Sequence, residues 1–502
     1  MTKIPTIIKN FDGGIANDIR DPRKDKCRMV TNFDISSSSR MTPYRDSEDG
    51  DSDGAAFKPQ NYIIAPDFAG TYKLWALGVK SGTSSPEVRY MALTDFDGNT
   101  WTEPTNNSGT GTANFNFFVY YKQTGLFYGL RTGYIWTFED ADPTPSWGDS
   151  AQAITFTTAA QGLVHSKDDI LYLPYDNKIA SKNGAGAWNL TALTLPSYYK
   201  ITSICEKGGY LAIACQHLST VGNSRVFLWN MDSDTWDEEY DWGDGDLKIL
   251  EEISGYLVGI SLSSPSSTPT SGFTRFNTRI HFRYLSGNKA LIYDTLIGGT
   301  GASTKLPIAK QKINNRIYFM LKIDIDGETR EGVWSFGRSL IEPSFTIAHE
   351  RTPNNSTVLT DSVLYHFINI GDYMFIAYES SSTHAISKTN DAESYTATSS
   401  YEKLFNTVDS QTTKKLLGVA VTFADLPTNA QVVLKYKIDE NIPSSTWVTV
   451  FTHAVAGSIR HTAVNDLPQY KEIVLRLESQ KGAEITGLKF LEETIDDDLL
   501  KI

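Results

Sequence analysis

A short apolar strand, opened in most copies by a turn residue, returns seven times along this chain. The copies read GTYKLWALGV (70–79), GLFYGL (125–130), DILYLPYD (169–176), GYLAIACQ (209–216), GYLVGISL (255–262), RIYFMLKI (316–323) and DYMFIAYE (372–379). Their starts lie between 40 and 61 residues apart, close to the period of about 40–50 residues of a four-stranded propeller blade. One blade cannot bury both of its faces, so blades of this period stack around an axis and leave only short strand edges. After each of the first four copies the chain runs through a turn to a tryptophan, as in VRYMALTDFDGNTW (88–101), GYIWTFEDADPTPSW (133–147), NKIASKNGAGAW (177–188) and SRVFLWNMDSDTW (224–236). Asp, Asn, Gly and Pro supply the dihedrals of a tight reversal. Trp101, Trp147, Trp188 and Trp236 are then placed to cover the seams between blades.

Tyr (25), Phe (24) and Trp (10) are heavily used, and these residues suit pleated, half-buried surfaces. The predicted class is all-β: a β-propeller of about seven degenerate blades with an extended N-terminal arm and a C-terminal β-sandwich. Residues 1–60 make the arm, with an apolar start (Ile4 to Ile8), a Gly13-Gly14 turn, a strand-like MVTNFDI (29–35) and the acidic RDSEDGDSDG (45–54). Residues 61–395 carry the propeller repeats. From 400 to 495 the pattern changes to period-two alternation, as in LLGVAVTFADL (416–426), AQVVLKYKID (430–439), WVTVFTHAV (447–455) and EIVLRLES (472–479), the profile of a small sandwich. Residues 496–502 form a tail.

The net charge of −13 argues against a nucleic-acid-binding surface, which needs a basic stripe to displace counterions. DNA is admitted only as cargo, since an acidic lumen repels phosphates. Cys27, Cys205 and Cys215 are too few and too uneven for a disulfide framework, so free thiols are predicted. The N-terminus lacks the apolar run of a signal peptide, and no stretch has the length of a membrane span. No membrane insertion is therefore predicted.

Asp49, Asp51 and Asp53, alternating before Gly54, read as the first half of a calcium loop, in which hard carboxylate oxygens converge on Ca2+. The twelfth position of such a loop is Gln60 rather than a bidentate Glu, and an acidic linker is the competing reading. Carboxylates among aromatic rings in WDEEYDWGDGD (236–246) make Trp236, Asp241 and Trp242 candidate glycan contacts, against the reading of a charged loop between blades. The eight histidines are scattered singly, and no Gly-x-Ser-x-Gly elbow, P-loop or dinucleotide fingerprint occurs. No catalytic residue is predicted, and the chain is not expected to be an enzyme.

NFDGGIANDIRDP (10–22), CRMVTNFDI (27–35) and RMTPYR (40–45) resemble the opening of tailed-bacteriophage tail proteins of the hub, nozzle and ring type. Those proteins run through a Phe-x-Gly-Gly turn, an acidic spacer, an Asn-Phe-centred strand and a basic step before degenerate β-blades. The resemblance implies a structural virion protein, assembled in the host cytoplasm, that forms or joins a ring around the DNA conduit. Its partners would be copies of itself in a cyclic oligomer and other tail proteins. It places Phe11, Gly13, Gly14, Asn32, Phe33 and Asp34 at contacts between subunits. Two alternatives belong to other classes: a receptor- or glycan-binding tail module, and a propeller glycoside hydrolase with two carboxylates flanking the scissile bond.

Overall fold

The computed structural model describes residues 4–8, 29–34, 41–45, 47–49, 57–80, 86–94, 96, 101–104, 117–131, 133–140, 146–219, 223–263, 278–298, 306–325, 328–338, 345–354, 359, 362–381, 383–389, 395, 398–406, 413–439, 446–464 and 467–495. The architecture is all-β. No helix among these residues is long and apolar enough to cross a membrane.

Among the described residues, the strands between 57 and 389 fall into seven successive antiparallel meanders. The first is Phe57–Pro66, Tyr72–Lys80 and Pro86–Ala92, with Thr102 bridged to Tyr90. The fourth is Tyr199–Lys207, Tyr210–His217, Ser224–Trp229 and Glu238–Gly243; the fifth follows at Asp246–Ile253, Tyr256–Ser263, Arg279–Ser286 and Lys289–Ile297. One bridge, Asp241 to Lys289, joins these two into an eight-stranded sheet. Every copy of the sequence repeat falls on the second strand of its meander, including Leu126–Arg131, Leu171–Tyr175, Arg316–Ile325 and Tyr373–Ser380. The turn residue opening a repeat is there for its dihedrals. Gly208-Gly209 (φ 57° and 88°) and Ser254-Gly255 (φ 49° and 86°) have positive φ at both turn positions, as a two-residue hairpin of right-handed twist demands.

Each meander packs face to face with the next. Trp75 meets Phe127 with ring centroids 5.2 Å apart between the first and second. Leu130 and Leu173 share a cluster between the second and third. Tyr172 meets Trp229 at 5.6 Å between the third and fourth, and Trp242 and Leu247 fill the next seam. Phe282 meets Phe336 at 5.0 Å between the fifth and sixth, and Met320 and Phe367 share the cluster after that. The series returns to its start, because Tyr62, Leu74 and Trp101 of the first meander pack on Phe375 and Ile386 of the seventh. This is a propeller-like arrangement. Trp101 and Trp188 lie in seams as the sequence predicts, Trp188 against Tyr128 of the preceding meander. Trp236 packs on Phe227 of its own meander, at the edge of the cluster between the third and fourth, and the side chain of Trp147 lies outside the described residues.

C-terminal to the meanders, two sheets face each other across an apolar core of Val419, Val421 and Phe490 on one side and Leu434, Leu475 and Leu477 on the other. One sheet holds Ile485–Ile495, Thr413–Phe423 and Arg460–Ala463; the other holds Ser399–Asn406, Glu472–Gln480, Gln431–Ile438 and Val448–His453. Cys205 stands opposite Ala212 and Cys215 opposite Ile201, so the two thiols occupy different rungs; both are buried and free.

The N-terminal segment runs into this body rather than away from it. Ile4–Ile8 adds to the sandwich beside Ile485–Ile495. Met29–Thr31 lies parallel to Phe345–Arg351 of the sixth meander and antiparallel to Ser399–Asn406, making one nine-stranded sheet from meander and sandwich. Ser47–Asp49 supplies the fourth strand of the seventh meander by pairing with Thr383–Thr389. Asn32 and Phe33, expected at contacts between subunits, are instead buried inside their own chain. Asn32 takes positive φ (56°) and accepts a hydrogen bond from the Thr352 amide (3.0 Å), while its carbonyl accepts from Ser399 Oγ (2.8 Å). Phe33, fully buried, belongs to the cluster that runs from the fifth and sixth meanders into the sandwich. Asp34 pairs with Thr42 through the backbone. Phe11, Gly13 and Gly14 lie outside the described residues.

Candidate functional site

First strands of successive meanders lie against one another, Tyr199–Lys207 beside Asp246–Ile253 and Phe57–Pro66 beside Val363–Ile370 among them. Where the third to sixth meanders meet, at the turn ends of these strands, they line an open cleft of about 500 Å3. That volume lies in the range of small-molecule sites, about 300–1,000 Å3. The hairpin register explains what lines it. Lys207, Ile253 and Ile313 close their ladders opposite Tyr210, Tyr256 and Arg316, so Glu206, Glu252 and Lys312 occupy one equivalent position in three neighbouring meanders.

These side chains are paired. Lys312 Nζ meets Glu252 at 2.8 Å, and Lys310 Nζ meets Glu251 at 3.0 Å. Lys310 also donates to the carbonyls of Ile204 (2.9 Å) and Leu250, so the sixth meander reaches the fourth through one ammonium group. Glu206 accepts from the Ser166 amide (2.6 Å) and hydroxyl (2.5 Å) of the third meander. Burial acts to raise the Glu252 carboxyl, but the Lys312 hydrogen bond and the Gly255 amide prevail and hold it below its ordinary range. Beneath them the Cys205 thiol is pushed far up by burial and then by Glu251, so it stays protonated and is no nucleophile. The cleft is thus lined by the Glu251–Lys310 and Glu252–Lys312 pairs and by Glu206, with Leu163 and Ile204 beside them.

Sequence reasoning missed Glu206, Glu251, Glu252, Lys310 and Lys312. The signal was present: aligning EKGGY (206–210), EEISGY (251–256) and KINNR (312–316) on their turns puts Glu206, Glu252 and Lys312 in one column. Of the glycan candidates, Trp242 is fully buried in the seam between the fourth and fifth meanders and is removed as a surface contact. Trp236 packs edge-on to Phe227 at 5.3 Å, and Asp241 accepts from the Gly243 amide (2.9 Å) and from Asn223 (3.2 Å), holding its own turn. The structure thus does not bring these three residues together as a sugar platform. Asp49 ends the strand paired with Ser387, while Asp51 and Asp53 lie outside the described residues. Among the described residues no group of three or more His, Cys, Asp or Glu is arranged to hold a metal ion.

No protein-family model matches the chain, and no curated protein matches it. Solved structures that it resembles include the exo-β-1,3-galactanase of Phanerochaete chrysosporium, at 10% identity and TM-score 0.30 over 86% of this chain and 100% of that one. The WD40 domain of Neurospora crassa Pan2 matches at 9% identity and TM-score 0.37 over 69% of this chain and 97% of that one. The Dos1 propeller matches at 10% identity and TM-score 0.39 over 69% and 94%. Likeness at this level carries no argument about what the chain binds or does.

Proposed function

We propose that the chain is a structural component of a tailed-bacteriophage tail, built on a seven-bladed propeller whose blades are the seven meanders and working as one copy in a ring around the DNA path. The observation that carries it is the course of the N-terminal segment, which resembles the opening of such tail proteins and supplies strands to the seventh meander, the sixth meander and the sandwich. Strand pairing of this kind makes the two parts one stiff body, as a tail component that transmits force needs. The closed series of apolar seams supports the blade count. The DNA path lies between copies rather than through the propeller. Lys310 ties the first strand of the sixth meander to those of the fourth and fifth, and this close tie is the ground for placing the duplex between copies.

Mass photometry and cryo-EM of the full chain test this. Closed rings with a lumen wider than a duplex are expected. A protein that stays monomeric at every concentration reached, alone and with tail tubes, sinks the reading. A second reading, binding of a small glycan, is favoured by the cleft between the third to sixth meanders and its paired charges. Retention on a glycan array that disappears with Lys312→Ala is the result that selects it.

A further inference from the structure

One end of the sandwich departs from the character of the whole chain. From Thr446 to Val464 there is no Asp or Glu, although the chain carries 59 of them; the ionisable residues there are Arg460, His453 and His461. In the same stretch Val448, Val455, Ile459 and Val464 are 48%, 62%, 60% and 62% exposed. Single exposed apolar residues need no explanation, but Val455 and Ile459 stand together on one turn, closed by Ser458 N donating to Val455 O (3.2 Å), and neighbouring exposed apolar groups mark an interaction surface.

The tip is held in shape. Phe423 N donates to Ile459 O (3.0 Å), Leu426 N to Ser458 O (3.1 Å), and Gly457 N to Leu426 O (2.9 Å). His453 is 2.7 Å from Ser458 Oγ, and its ring lies 4.5 Å from that of His461, which in turn lies 4.4 Å from Phe451. Val455 and Ile459 are therefore presented on a fixed loop, and a preorganised surface loses little entropy on docking. The flanking strands Val448–His453 and Arg460–Ala463 each pair on one side only among the described residues, so the tip also carries two sheet edges. Unpaired edges are templates for association unless covered.

The rest of the chain offers the complement. Between the third and fourth strands of the fourth meander Asp232, Asp234 and Asp237, and at the start of the fourth strand Glu238 and Glu239, are exposed around the half-buried Trp236. We infer that the sandwich tip of one copy docks on the acidic, aromatic loop 232–239 of a second copy, with Arg460 facing its carboxylates and Val455 and Ile459 facing Trp236. The two surfaces differ, so the contact is heterologous, and repeated contacts of that kind generate a ring when the rotation closes. This rests on the oligomeric reading above and gives it an interface.

The test is the oligomeric state of the full chain by mass photometry with three variants: Val455→Asp with Ile459→Asp, Arg460→Glu, and Asp234→Lys with Glu238→Lys. All five positions are exposed, so thermal midpoints are expected to stay at the wild-type value. Each variant alone is expected to weaken association by about tenfold or more, and mixing Arg460→Glu with the lysine variant is expected to restore mixed rings. Rings that persist in all three variants overturn the interface while leaving the ring reading intact. Rings lost with the tip variants but not restored in the mixture overturn the acidic loop as the partner. A wild-type chain with no rings overturns both.

Discussion

His349 stacks on Trp334 with ring centroids 4.7 Å apart, faces Thr31 Oγ1 at 3.2 Å, and lies 3.0 Å from the Glu331 carbonyl. Burial first, and then the Arg330 charge, lower its pKa from 6.5 to about 3; burial lowers His366 to about 4. The unfolded chain takes up these protons near pH 6.5, and the folded chain does not until far lower. The stability contributed by each neutral ring is thus present above pH 6.5 and lost as the pH falls towards 4. Each histidine should remove about 1.4 kcal/mol per pH unit in that window. Urea unfolding at pH 7, 6 and 5 reads the slope, and His349→Asn should flatten it by about one histidine's share; an unchanged slope would refute this. Asn32 gives a second residue-scale expectation. Asn32→Gly keeps the positive φ but leaves the buried Thr352 amide without its acceptor, costing about 1–3 kcal/mol. Asn32→Ala adds about 1–2 kcal/mol for a left-handed backbone. Denaturant midpoints should therefore fall in the order wild type, Gly, Ala, and the reverse order for the two variants would disprove the dihedral argument.

Three short strands decide how the body is closed. Ser47–Asp49 covers the edge of Thr383–Thr389, and nearby Arg351 donates to Thr389 Oγ1 (2.6 Å) and to the Arg45 carbonyl (3.0 Å). Removing residues 1–56 uncovers that edge and opens the gap between Phe345–Arg351 and Ser399–Asn406. The truncated chain should aggregate on heating and melt at least about 10 °C lower, several kcal/mol at about 2–4 °C each for a large domain. A soluble truncation with an unchanged midpoint would show that the segment serves only contacts outside the chain. Much of this level was legible in the sequence. The GGY and SGY turns marked second strands because a two-residue hairpin needs positive φ wherever it occurs, and Trp101 marked a seam because a large ring at a turn has only the neighbouring blade to cover. The destination of MVT and SED was not legible: a strand of three residues carries no periodicity, and its partners lie more than 300 residues away. The cleft residues escaped for a related reason. Glu252 and Lys312 look like ordinary surface charges until the register sets them in equivalent places in neighbouring meanders.

Propeller and sandwich would be separate melting units if only a linker joined them. Instead they share the nine-stranded sheet and a buried ionic network. Glu328 of the sixth meander accepts from Trp447 Nε1 (2.8 Å), Arg330 (2.5 Å) and Arg476 (2.5 Å), while Glu402 accepts from Arg330 (2.9 Å) and Arg476 (2.8 Å). Arg476 and Lys437 also lie over the Trp447 ring, at 3.9 and 4.2 Å. Burial acts to raise the Glu328 carboxyl, yet Arg330 and Arg476 bring it down to about 2. Its contribution is accordingly complete above about pH 4.5 and lost as the pH falls towards 2. Glu328→Ala leaves the Arg330 and Arg476 guanidinium groups to share Glu402, with Glu478 at 3.9 Å from Arg476 only, and removing one partner of a buried pair costs about 3–5 kcal/mol. That loss falls on the junction rather than on either part. Calorimetry of the wild type should show one transition with equal calorimetric and van't Hoff enthalpies. In Glu328→Ala at pH 7 the sandwich transition should separate to lower temperature while the propeller transition stays near its original position. Two resolved transitions already in the wild type would mean that the shared sheet does not couple the parts.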